Sequence, residues 1–482
     1  MRLPRREVSP YRLYLALECG MSFLLGITFA TIMVYWVTSG RLNPLQLLLL
    51  GTALELTYFL LQLPTGVLAD LVSRRLCVLA GLFIVGIALI MQSLSPAFAN
   101  LLAAQLVLGV GAALNNGAEE AWIAGELADD QMTGVYLRAT QLGLIGTIAG
   151  SLLSGVIALA GLNMPLLVGG ALICGLAVAA SFVMPERNFR RPVDATGRAT
   201  LLDVARQAPG MLVDQLRSAR GAIVAVPGLV LLFGAVLFIG LWSESFDRLW
   251  GAFLLRDIRF PDVGGLHPAM WFSFIACAVA AFALGSTEIA KRRTERLGPD
   301  AVVGALLVVT VGIAAGVVVM ATSRSFAAAV AAYLAVEVLR PVFDPLMSGW
   351  MVGRIESSVR ATAFSVRDMF DSAGQIVGGP AIGVVGTLAS IRVALLAGAA
   401  ALAPASASLL AASRAIRPRP AGPGTVASVI TAGALEGGVV EARVVEAGVI
   451  EARVVEAGVI EVAIVEPPGG GDPAGANPAL GR

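Results

Sequence analysis

The residues with chemistry to offer in this chain are a few acids and amides set inside long apolar runs. Glu55 stands in "LLLLGTALELTYFLLQLPTG", about eleven residues from each end of the apolar span 44–69 and so ~16 Å deep if it is helical. Thr52, Glu55, Gln62 and Gly66 recur there on one helical face, with no basic residue one turn from Glu55. Desolvation disfavours the charged form of a carboxylate, which is the property a proton carrier needs. A structural hydrogen bond, with the acid held neutral, is the competing reading.

Other apolar runs carry similar stripes. Glu18 sits in the first run, six residues from Arg12 and on a different face, so it faces a cavity or pairs with another helix. Gln105, Gly109, Asn116 and Glu119 share a stripe in the fourth, with Asn115 and Glu120 beside it and Arg138 as a candidate partner. Glu337, Arg340 and Asp344 lie at i, i+3 and i+7 among Pro341 and Pro345, a spacing that predicts pairing within their own helix. The next run adds Asp368, Ser372, Gln375 and Gly379, with Arg367 and Asp371 four apart. Ionisable groups at membrane depth are costly and therefore candidate functional groups, although some serve only to join helices. Polar stripes on several helices are what a central aqueous cavity requires.

The elements that must hold these residues follow from composition. The 482 residues are 57% hydrophobic and 14% charged, with mean hydropathy +0.82. A soluble domain carries roughly 25% charged residues. A helix needs ~20 apolar residues to cross a bilayer, and the runs predict spans at 11–38, 44–69, 76–95, 97–121, 134–161, 164–184, 223–243, 269–290, 301–322, 325–350, 361–386 and 391–412. The runs are continuous rather than alternating, which disfavours a membrane barrel. The fold class expected is an all-α membrane protein of about twelve transmembrane helices in two six-helix bundles around a central cavity. Its parts are an N-terminal bundle (1–184), a central loop with seven Arg (185–222), a C-terminal bundle (223–412) and a low-complexity tail (413–482). Two such halves match the repeat architecture of secondary transporters. Lys and Arg concentrate in alternate connections, which places both termini and the central loop in the cytoplasm of an inner-membrane protein. The basic N-terminus leads into a retained first span rather than a cleaved signal.

Several function classes are disfavoured. A net charge of +1 gives no basic field for nucleic acid. Cys19, Cys77, Cys174 and Cys277 lie apart, and the one histidine, His267, sits in a connection, so no metal site or cofactor is expected. No H-E-x-x-H or G-x-S-x-G motif marks a catalytic residue, and an enzyme is not expected. Residues 439–466 repeat with period five (VVEAR VVEAG VIEAR), which suits neither helix nor strand periodicity. This tract reads as repeat expansion, or as a β-forming segment rich in Val and Ile.

Between the second and third runs stands "GVLADLVSRR". Gly66, Asp70, Arg74 and Arg75 resemble the signature G-x-x-x-D-R-x-G-R-R/K of the major facilitator superfamily, with Leu71 and Ser73 in place of the usual Arg and Gly. The likeness covers about residues 11–412. Within that superfamily, "EEAWIAGEL", "ESFDRLW" and "VRATAFSVRDMFDSAGQIVGGPAIG" resemble the drug:proton antiporter branch that includes macrolide- and tetracycline-type efflux proteins. Two departures stand out. "QLVLGVG" has Gln105 where antiporters carry Arg in R-x-x-Q-G-x-G, and "GTIAGSLLSG" lacks the proline of G-P-x-x-G-G.

The resemblance implies alternating access, with two bundles rocking around a midplane site. It implies a monomer in the lipid bilayer that exports a small amphipathic molecule, with protons as coupling ion. The coupling candidates are Glu55, then Glu18 and Glu119. The cavity candidates are Gln62, Gln105, Asn115, Asn116, Glu337, Arg340, Asp368 and Gln375. It also implies a cytoplasmic gate in which Asp70 meets the N-terminus of the eleventh helix near Arg360, while Arg74 or Arg75 pairs with Glu119, Glu120 or Glu126. The alternatives are a metabolite uptake permease, an uncoupled uniporter, or a non-transporting sensor or scaffold.

Overall fold

Long apolar stretches fold into helices because no water is present in a bilayer to satisfy open backbone groups. The computed structural model describes residues 9–127, 132–189, 228–294, 299–355 and 357–416, positions 210 and 217, and the tail segments 450–455 and 459–464. Among the described residues, eleven helices are long and apolar enough to cross a membrane. A twelfth, Ser357–Leu388, is longer but carries Arg360, Arg367, Asp368 and Asp371 in its first half. In chain order the spans are Pro10–Ser39, Pro44–Leu71, Arg74–Leu94, Phe98–Glu126, Met132–Ala158 and Met164–Val183, then Leu229–Asp257, Pro268–Thr294, Pro299–Thr322, Phe326–Val352, Ser357–Leu388 and Ile391–Ile416. They are numbered one to twelve below. Most of the central loop, 185–222, lies outside the described residues.

Local chemistry sets several ends. Asn43 caps span two by accepting from the Gln46 amide at 2.9 Å, Gln46 returns the bond to the Asn43 amide, and Pro44 occupies the first turn. Ser73 caps span three through the Leu76 amide. Span four breaks at Asn116–Gly117, where Gly117 takes a φ of 73° that a side chain would resist. A short helix, Ala118–Glu126, continues it.

Span seven departs from expectation. The sequence predicted 223–243 and left "ESFDRLW" in a connection, whereas the helix runs Leu229–Asp257 and carries Glu244, Asp247 and Arg248 inside it. The charges are tolerated because each finds a partner, as described below.

Small residues let the helices approach closely. Spans one and five cross through Gly26, Gly146 and Gly150; a Cβ at Gly150 would lie 2.0 Å from the Phe23 carbonyl oxygen. The loops at one end of the bundle hold Arg74, Arg75, Arg187 and Arg354, and this is termed the basic end. The apolar core of the opposite, far end is continuous across both halves, joining Leu47, Leu48 and Leu50 to Phe246, Leu249 and Phe253. Toward the basic end the N-terminal half has a separate core of its own, built around Tyr14, Trp122 and Ile123. The described hydrogen bonds between halves follow the same division. Leu45 donates to Thr387 Oγ1 at 3.0 Å, Arg256 to the Leu42 carbonyl at 2.5 Å, and the Cys277 thiol to the Ile148 carbonyl. The halves are therefore joined at the far end and part toward the basic end.

The tail, Pro418–Arg482, is a separate unit. Within it Ile450–Val455 and Val459–Ile464 pair antiparallel, with Arg453 opposite Glu461 in register. The period-five tract thus supplies two strands, the β-forming alternative.

A Gly150→Val substitution should break the crossing of spans one and five, where overpacking typically costs about 1–3 kcal/mol. The expected result is loss of the monodisperse peak in fluorescence-detected size exclusion, with Gly175→Val, which meets no atom within 4 Å, leaving it intact.

Candidate functional site

Where the joined far end gives way to the opening, charged side chains from spans two, seven, ten and eleven converge. Helices two and eleven run antiparallel and interlock at small residues. A Cβ at Gly386 would lie 2.8 Å from Pro44, one at Gly383 3.0 Å from Leu45, and one at Gly379 2.4 Å from Thr52 Oγ1. Continuing that register one turn places Glu55 level with Gln375.

Span seven locks into the same place. Arg248 donates to Glu244 Oε1 at 3.0 Å, one turn apart, and both are largely buried. The pair projects from the C-terminal half onto span two at Gly51, where a Cβ would lie 1.4 Å from Glu244 Oε1 and 2.6 Å from Arg248 Nε. The Arg248 guanidinium also rests 5.8 Å from the ring centre of Trp36, in span one. Glu55 lies one turn from Gly51 on the same helical face. It has no hydrogen bond or ion pair among the described residues.

The remaining charges are distributed by pairing. Arg340 grips Asp247 with two bonds, 2.5 and 2.8 Å, a bidentate fork across spans ten and seven. Glu337 Oε1 is 3.9 Å from the same guanidinium. Arg367 pairs with Asp344 at 3.2 Å and Asp368 at 3.1 Å. Of the trio expected to pair within its own helix, Glu337 and Arg340 do so, whereas Asp344 turns to Arg367 on span eleven. Asp371, four residues from Arg367, accepts from Gln375 Nε2 at 2.7 Å. Asp344 and Asp368 are exposed although they lie well inside their spans, so water reaches this depth from the basic end.

Inside the C-terminal half a chamber of about 130 Å³ touches Trp242, Arg340, Asp344, Arg367, Asp371 and Gln375. The N-terminal half holds a groove of about 380 Å³ among Met21, Leu25, Leu54, Tyr58, Leu108 and Asn115. Asn116 donates its amide to the Tyr58 hydroxyl, and Asn115 donates to Glu119 at 3.2 Å.

Other sequence candidates fall elsewhere. Gln105 is buried within the N-terminal half, with Oε1 unpaired, rather than exposed to a cavity. Glu18 and Glu119 lie near each other inside that half, and Arg138 bonds Tyr11 instead of either Glu119 or Glu120. Gln62 stays on the Glu55 face, two turns nearer the basic end. The inside gate differs from expectation as well. Asp70 is exposed and accepts from Arg74 at 3.0 and 3.2 Å, not from the eleventh helix. Arg74 also donates to the Ala121 carbonyl, while Arg75 donates to the Ser181 carbonyl and takes Glu186 at its amide. Gly66 has open space above it. These bonds all stay within the N-terminal half, because the halves are parted where the gate contacts would form. The described residues hold no cluster suited to a metal ion.

Twelve helices in two halves, joined at one end around a charged midpoint, define a polytopic membrane transporter. The chain belongs to the Major Facilitator Superfamily, whose family model matches residues 17–336. Its fold is similar to the solved nucleoside transporter NupG, at TM-score 0.66 and 14% identity over 84% of this chain and 99% of that one. It is similar also to a peptide transporter POT variant in complex with alafosfalin (TM-score 0.65, 15% identity, 86% and 96% coverage). A POT family transporter in complex with 5-aminolevulinic acid matches at TM-score 0.64 and 12% identity, over 84% and 96%. Among proteins of curated function, no sequence matches this chain.

Glu244, Asp247 and Arg248 entered the sequence reading only within the motif "ESFDRLW", with no place in the site, and Trp242 was not singled out. The signal was present: Glu244 and Arg248 are four apart, and apolar residues continue beyond them to Leu255.

Removing one member of a buried pair strands the other, at about 3–5 kcal/mol. Glu244→Met alone should therefore lower thermal stability strongly. The double variant Glu244→Met/Arg248→Met should recover most of the loss in a thermal-shift cycle.

Proposed function

We propose that this protein is a secondary active transporter that exports a small amphipathic molecule across the cell membrane by alternating access, coupled to protons. One observation carries the reading: Glu55 stands without an ion partner where the sealed end meets the open cavity, beside an ion pair that the C-terminal half projects onto span two. A carboxylate so placed can take a proton in one state and release it in the other, when its neighbours move. The basic end then faces the cytoplasm, following the distribution of Lys and Arg, and the conformation described is open inward. Glu18 and Glu119 are secondary proton sites, and Gln62, Asn116, Asp368 and Gln375 face the route.

Asp70 has a role in the opposite conformation. When the inner end closes, the positive N-terminus of span eleven approaches Asp70, which exchanges Arg74 for that contact and holds the inside shut. In the inward-open state the acid is idle.

Uptake of a metabolite is the second reading. It is favoured by the structural neighbours, which are named as nucleoside and peptide transporters. Flux measured in vesicles of defined orientation separates the two directions.

Glu55→Gln should abolish pH-driven flux in proteoliposomes while the protein stays folded and inserted. Flux at the unaltered level under a pH gradient would remove Glu55 from coupling. Asp70→Ala should reduce flux and raise the labelling of single cysteines in the inner cavity. Unchanged flux and labelling would leave Asp70 as a solvated turn residue.

A further inference from the structure

Positive charge is scarce at the far end. Among the described residues, its connections and helix ends carry Arg41, Arg256, Arg259, Arg324 and Arg392. Three of these meet in one place. A pocket of about 610 Å³ is walled by Arg259, just beyond the end of span seven, and by Thr322 and Arg324 at the turn from span nine to span ten. Arg392 and Leu396, in the first turns of span twelve, complete the wall. Asp257 is the one carboxylate among the lining residues, so three arginines against one aspartate leave an excess of two positive charges.

The three arginines differ in what holds them. Arg392 is built into the fold: its Nη1 donates to the carbonyls of Ala321 and Ser323, both at 2.7 Å. Its Nε lies 3.5 Å from Asp257 Oδ1, and its guanidinium rests 4.8 Å from the centre of the Phe253 ring. These contacts join spans seven, nine and twelve, and they engage the pocket's own acid. Arg259 and Arg324 are exposed and make no hydrogen bond or ion pair among the described residues. Guanidinium groups with unused donors at one opening suit a phosphate, whose oxygens accept paired N–H bonds.

The surroundings narrow the source of that phosphate. Val318 and Val319 lie one turn from Thr322 on the same face of span nine, and Val393 lies one turn from Leu396 on span twelve. They are 41%, 53% and 44% exposed, so both spans present apolar side chains to the bilayer beside the arginines. A free anion gains nothing from such a wall. A phospholipid does, because its phosphate sits level with the helix ends and its acyl chains lie along the apolar helix surface.

We infer that this pocket holds the phosphate of an anionic phospholipid in the leaflet at the far end, with Arg259 and Arg324 as its ligands and Arg392 positioning the walls. The inference goes beyond the transport reading and does not depend on its direction or coupling. A bound lipid links the ends of spans seven, nine and twelve and braces the C-terminal half.

Native mass spectrometry of the purified full chain tests this, with phosphatidylglycerol, phosphatidylcholine and inorganic phosphate titrated separately. The expected result is phosphatidylglycerol bound about tenfold or more tighter than phosphatidylcholine, the scale on which a few basic residues favour an anionic lipid. Arg259→Gln/Arg324→Gln should lose that preference. Arg41→Gln, at a far-end arginine outside the pocket, should keep it. No preference in the wild type, an unchanged preference in the double variant, or an equal loss in Arg41→Gln overturns the inference. Inorganic phosphate that displaces the lipid at equal concentration would make this a site for a free anion and overturn the lipid assignment. Should the double variant fail to fold, Arg324→Gln alone is expected to weaken phosphatidylglycerol several-fold, and an unchanged affinity there overturns the inference equally. The readout is binding, so its failure leaves the transport reading untouched.

Discussion

The ion pair between Glu244 and Arg248 is the contact on which the arrangement of the two halves depends. It is carried by one helix of the C-terminal half and received by the N-terminal half at Gly51 and Trp36. Burying either charge alone would cost several kcal/mol, and together they form a compact unit with little net charge. That unit fills the point where the apolar seal of the far end stops and hydrated space begins. Above it the halves share one core through Leu48, Phe246 and Phe253. Below it carboxylates such as Asp344 and Asp368 are exposed. The geometry of the opening therefore follows from where this pair sits.

Charge pairing also explains how so many ionisable groups coexist at this depth. Asp247 and Arg340 join spans seven and ten, while Arg367 gathers Asp344 and Asp368. The Asp247–Arg340 and Asp344–Arg367 pairs tie spans seven, ten and eleven together, so that half can move as one body. Against this background the isolation of Glu55 is informative. The acid belongs to the half that receives the seal, not the half that supplies it, and a change in its charge is felt directly across the boundary.

Much of the fold was legible in the sequence because bilayer crossing imposes a simple length rule on apolar runs. The spans of the N-terminal half fall within a few residues of their predicted ends, and caps such as Asn43 and Ser73 are visible as residue types. Span seven was misplaced because its charges mimic a connection, and only their spacing of four betrays a buried pair. The site was legible in its composition but not in its partnerships. Glu55, Asn115, Asp368 and Gln375 could be named from stripes. That Arg340 takes Asp247 from a distant helix, or that Gln105 turns inward, depends on helix rotation, which periodicity alone does not fix. The signature at Gly66 to Arg75 identified the family, but its contacts change with conformation, and a sequence carries no label for state.

Gly51 has a consequence for how this sequence can drift. The space that a methyl group would need there is already occupied by the Glu244 carboxylate and the Arg248 guanidinium. A side chain gained at position 51 would therefore require both ends of the buried pair to move aside together. Through one missing carbon atom, helix two sets where helix seven can keep its charges.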